Sequence, residues 1–151
     1  MNHNTKLLIS TILILLCINK GVLAQAGLGE TEQLIKGYCI GKGWSWLGGS
    51  TQQGGAMNGW RLVKAHGEEQ TITYCMDKKG ICQTQFHEFD TESAYNIRKD
   101  KTERAYSRLD KPNTWIRAYE EFNRNVIAEE KCQKTQTGYS CYFVFTFDKL
   151  L

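Results

Sequence analysis

Residues 139–148 read Tyr-Ser-Cys-Tyr-Phe-Val-Phe-Thr-Phe-Asp. Tyr139, Cys141, Phe143, Phe145 and Phe147 alternate with Ser140, Tyr142, Val144, Thr146 and Asp148. A side-chain period of two is that of a β-strand, and one face of this strand is strongly aromatic. Such a face needs a covering layer. Upstream, Trp115, Tyr119, Phe122 and Val126 recur at helical spacing, with Arg117, Glu120, Glu121, Arg124 and Lys131 on the opposite side. This pattern predicts an amphipathic helix over residues 113–131, with Glu120 and Arg124 as a favourable i, i+4 pair. Packing the aromatic stripe on the phenylalanine face gives an α+β domain. Its expected form is a small antiparallel sheet of about four strands against one main amphipathic helix, stapled by disulfides.

The rest of the chain supplies the other elements. Leu34, Ile35 and Tyr38 predict a short helix over 31–39, ended by Gly41. Residues 41–59 contain seven glycines and read as a long flexible loop. Residues 60–65 read as a strand. Residues 71–89 read as a hairpin around Asp77-Lys78-Lys79-Gly80, with Met76 opposite Ile81, Cys75 opposite Cys82 and Thr73 opposite Thr84. Asp90 or Thr91 is placed to cap a helix running to about Leu109. No internal repeat and no inter-domain linker is visible, so residues 25–151 form a single domain.

The first residues have a different purpose. A leader with Lys6 precedes an apolar run over 7–18, and Val22-Leu23-Ala24 supplies small residues for cleavage. That is the pattern of a secretory signal peptide over residues 1–24, with Ala26 as a second possible end. The run is too short to span hydrocarbon, so no stable membrane insertion is expected after cleavage. Removal of Lys6 and Lys20 takes the formal charge from +3 to +1. So weak a positive charge argues against nucleic acid as a partner.

Cleavage also removes Cys17 and leaves Cys39, Cys75, Cys82, Cys132 and Cys141. Exported cysteines usually pair. The hairpin register predicts Cys75–Cys82, and the short polar link over 133–140 predicts Cys132–Cys141. Cys39 is then unpaired: a buried thiol, or a link to another chain in an oligomer.

Motifs for known chemistry are near misses. Gly41-Lys42-Gly43 lacks the third dinucleotide-binding glycine, and Gly49 to Gly54 lacks the phosphate-loop Lys-Ser/Thr. No cofactor is expected. His66 stands near Glu68 and Glu69, and His87 near Glu88 and Asp90, but no metal-ligand spacing supports a metal site. Two surfaces are the candidate binding residues. Trp44 and Trp46, two apart, would present both indoles on one side of an extended segment. Lys78 and Lys79 would form a basic protrusion clamped by Cys75–Cys82. These features predict a small binding protein, secreted or periplasmic, that recognises a protein or glycan partner, of inhibitor or immunity type. The alternatives are a small hydrolase using His66 or His87 with a carboxylate, and an assembly component linked through Cys39.

Overall fold

The computed structural model describes residues 27–119, 122–135 and 138–148. The expected signal peptide over 1–24 lies outside the described residues, as do Glu120 and Glu121. In chain order the elements are α1 (Glu32–Gly41), β1 (Ser45–Thr51), β2 (Arg61–Gly67), β3 (Gln70–Met76), β4 (Cys82–Phe89), α2 (Glu92–Ala105), β5 (Ser107–Arg108), β6 (Thr114–Tyr119), β7 (Arg124–Thr135) and β8 (Gly138–Phe147). Both helices start where the sequence places a cap. Thr31 accepts from Leu34 N at 3.5 Å, and Thr91 accepts from Ala94 N at 3.1 Å.

All eight strands form one antiparallel sheet in the order β1-β2-β3-β4-β8-β7-β6-β5. Each helix opens a unit of four successive strands. The two units meet where β4 pairs with β8, and the free edges are β1 and β5. The expectation of about four strands against one main helix is therefore corrected on both counts. β1 lies inside the glycine-rich segment expected to be a loop. As a largely exposed edge strand, it carries little of the apolar alternation that marks a half-buried strand.

The expected helix over 113–131 is instead the β6–β7 hairpin. Thr114, Trp115, Ile116, Val126 and Ile127 are residues that favour strands. Asn113 and Asn123 flank β6 with φ of 52° and 48°, a left-handed conformation that asparagine tolerates better than most. The aromatic stripe does meet the phenylalanine face, but from a strand and a turn. Trp115 lies 6.0 Å from Phe143, Tyr119 6.2 Å from Phe147 and Phe122 5.7 Å from Phe147, between ring centroids.

Strand alternation divides the sheet into two faces. Val63, Ala65, Ile72, Tyr74, His87, Phe143, Phe145, Val126 and Ala128 share the face that packs on Ile35 and Cys39 of α1 and Tyr95 of α2. Leu62, Lys64, Thr73, Cys75, Phe86, Glu88, Tyr142 and Val144 share the other, and neither helix lies over it.

The faces also explain the cysteines. Cys132 and Cys141 stand directly opposite in β7 and β8 and are disulfide-bonded, as expected. Cys75 and Cys82 are not bonded. The pairing shifts between Cys75 and Met76, so that Cys82 faces Met76 and Cys75 faces Thr84. One residue of offset turns a side chain to the opposite face, which places the two thiols on opposite sides of the sheet.

Candidate binding surface

Strands β2, β3, β4 and β8 lie side by side at the centre of the uncovered face. One row across them runs Lys64, Thr73, Phe86, Val144, and the next runs His66, Thr71, Glu88, Tyr142. Leu62, Phe86 and Tyr142 are half-buried, and the two rings stand 6.5 Å apart. Although neither described helix covers them, Thr73 is 7% exposed and Cys75 0%. Around this apolar patch Lys64, Glu88 and Gln133 are exposed, and the whole encloses a groove of about 330 Å³. An apolar centre with a polar rim is the anatomy of a protein interface. The charges beside the groove neutralise one another. Lys111 and Lys131 both pair with Glu129, and the hydrogen bond from Lys111 holds the Glu129 carboxyl below its usual range.

The residues singled out in the sequence scatter. Trp44 and Trp46 do share a side, but it is the helix-covered one. Trp44 is 8% exposed and Trp46 packs against the core, so they form no exposed pair. Lys78 and Lys79 are exposed at the tip of the β3–β4 turn. The tip is ordered by Asp77 rather than by a disulfide. Asp77 Oδ1 accepts from Lys79 N at 2.8 Å and Ile81 N at 3.1 Å, and Oδ2 accepts from Gln83 Nε2 at 2.9 Å.

The histidines point to opposite faces. His66 sits on the uncovered face with Nε2 3.6 Å from Asp90. His87 is fully buried on the other face, its Nε2 donating to Gln85 Oε1 at 3.0 Å, and burial drives its pKa well below the usual value. The two histidines therefore do not converge, and of the two only His66 has a carboxylate beside it. Cys39 is also fully buried, 3.5 Å from the Tyr74 hydroxyl, and burial pushes its thiol up. Such a thiol is neither an activated nucleophile nor within reach of another folded chain. Glu130, Cys132 and Cys141 bring donor atoms within 4.8 Å of one another, but the two sulfurs are bonded to each other and are not thiolate ligands.

Leu62, Phe86 and Tyr142 do not stand out in the sequence, because the strongest apolar alternation belongs to the face that builds the core. The signal was present: Phe86 and Tyr142 are large aromatics at outward positions, where alternation calls for polar residues. Set against known protein families, curated proteins and solved structures, the chain matches none.

Proposed function

We propose that this is an exported binding protein that holds a protein partner against the uncovered face of its sheet. One observation carries the reading: Leu62, Phe86 and Tyr142 form a half-buried apolar patch with a polar rim on a face that neither described helix covers. The signal-like residues 1–24 and the Cys132–Cys141 bond both support export to a secreted or periplasmic setting. Rim charges of both signs favour a protein over a nucleic acid. Tilted rings recessed in a groove favour a protein over a glycan, which stacks on a flat exposed ring.

The test is site-specific photo-crosslinking from position 86 in the native envelope, compared with position 79. We expect one discrete protein adduct from position 86 that Tyr142→Ala reduces at least about tenfold, as for a central interface aromatic. Tyr142→Ala should leave the circular dichroism spectrum unchanged. Adducts from position 79 alone would move the binding surface to the β3–β4 tip and overturn the proposal, as would an adduct displaced by oligosaccharide.

A further inference from the structure

On the opposite face, α1, α2 and the β2–β3 turn enclose a chamber of about 60 Å³ with an unusual lining. Its cations are Lys42, Arg98 and Lys101, and its one carboxylate is Glu68. Arg98 is half-buried, and burial pushes its pKa down. Its Nη2 donates to the neutral amide of Gln70 at 3.1 Å. Its Nη1 is sealed from solvent and has no partner, and no carboxylate among the described residues lies within ion-pairing distance. Trp44, itself 8% exposed, also lines the chamber with its indole N–H unpartnered. Buried charges are normally paired, and buried donors normally find an acceptor. The Arg98 donor calls for an acceptor carrying negative charge and the Trp44 N–H for a hydrogen-bond acceptor, while the third unpartnered atom of the lining, His87 Nδ1, is itself an acceptor and is met by a ligand's protonated oxygen or a water.

The surroundings give that acceptor a size and an approach. Glu68, Gln70, Arg98 and Lys101 also line an outer cleft of about 310 Å³, whose far wall is Ala94 and the exposed Ile97. Its lip is the β2–β3 turn, where Glu68 and Glu69 both have positive φ, 51° and 57°. Asparagine and glycine are the usual residues there. The turn is tied to the start of α2, since Thr91 Oγ1 donates to Glu69 Oε2 at 2.9 Å and Asp90 N to Glu69 O at 2.8 Å. His87 adds no charge to the lining, because burial keeps it neutral.

The geometry points to a binding site for a small organic oxyanion, a carboxylate or phosphate head group held by Arg98 between α2 and β3, with the remainder of the ligand in the outer cleft against Ile97. Arg98 would give the head group paired, charge-assisted hydrogen bonds, with Lys42 and Lys101 adding charge at the entrance. This site lies across the sheet from the Phe86–Tyr142 patch and does not depend on it.

The experiment uses the mature, oxidised protein at pH 7. Acetate, hexanoate and inorganic phosphate are titrated against sodium chloride of equal ionic strength, with melting temperature and the indole N–H resonances as readouts. We expect a saturable rise in melting temperature with a carboxylate or with phosphate that chloride does not give. The Trp44 resonance, assigned through Trp44→Phe, should move with it. A response to carboxylates alone identifies an organic acid, with hexanoate binding more tightly than acetate through the outer cleft; a response to phosphate alone identifies a phosphate ester. Arg98→Met should weaken binding at least about tenfold, the value of a charge-assisted hydrogen bond. Glu68→Gln, which removes the competing carboxylate, should tighten it. Lys101→Met, on an exposed residue, keeps the test available if Arg98→Met does not fold. Phe86→Ala should leave anion affinity unchanged, which separates this site from the partner surface. No response beyond chloride to any of the three anions, or affinity unaffected by all of these charge substitutions, would overturn the inference.

Discussion

His87 shows how far one side chain can report on its surroundings. Its ring packs edge-on against Phe145 with centroids 4.8 Å apart, and no part of it reaches solvent. Burial depresses the folded-state pKa, so below the ordinary value of about 6.5 the unfolded chain binds a proton that the folded chain does not. The stability this group contributes is therefore present above pH 6.5 and is lost as the pH falls. The slope is at most about 1.4 kcal/mol per pH unit for one proton. Urea unfolding at pH 7 and pH 5.5 should show that loss in the wild type and a smaller loss in His87→Leu. Little of this was legible beforehand. In the sequence His87 stands beside Glu88 and Asp90, and charged neighbours give no sign of burial. The residue is instead at an inward position of β4, opposite Ile72 and Phe143. Arg98 was hidden in a similar way: on α2 it stands half-buried one turn before the buried Thr102, where polar residues weaken the helical pattern that sequence reading looks for.

Among the elements, the β7–β8 hairpin holds the one disulfide among the described residues. Cys132 and Cys141 are nine apart, and closing so short a loop limits the unfolded chain by about 2–3 kcal/mol. Cys132→Ser should cost about that much in chemical denaturation, and reductant should lower wild-type stability to the same level. Cys75→Ser should lose the same stability on reduction as the wild type, since Cys75 makes no bond and Cys132–Cys141 is still present. The pairing of Cys132 with Cys141 could be read from the sequence because a polar link joined them. The pairing of Cys75 with Cys82 was misread because a one-residue shift in a ladder leaves no mark on composition. The helix over 113–131 was misread for another reason. Arg117 lies on the same face as Trp115 and Tyr119, but it is exposed. A charged residue at an inward position broke the period of two, and the remaining apolar spacing imitated a helical turn.

At the scale of the whole molecule, two units of one helix and four strands are joined through β4 and β8. The aromatic packing crosses that seam: Phe143 lies within 6.3 Å of Phe89, Tyr95, Trp115 and Phe145, measured between centroids. Opening of the sheet should therefore begin at its ends. Amide hydrogen exchange should be slowest in β3, β4, β8 and the first half of β7, and faster by orders of magnitude in β1 and β5. Uniform protection across all eight strands would contradict this order. The antiparallel architecture and the aromatic core were legible from residues 139–148. The number of strands was not, because the outer ones carry glycine or are only two residues long.

Those outer strands have a further effect. A sheet that ends in unsatisfied backbone groups invites other chains to add on, and long, flat, apolar borders are the usual start of fibrils. Here one border is a two-residue strand. The other is irregular at Trp46 and Gly48 and exposes most of its length, with Leu47 as its exposed large apolar side chain and glycine, serine and threonine beyond it. Neither offers a long, flat apolar template, so a protein with so extensive a ladder is guarded against growing by accretion.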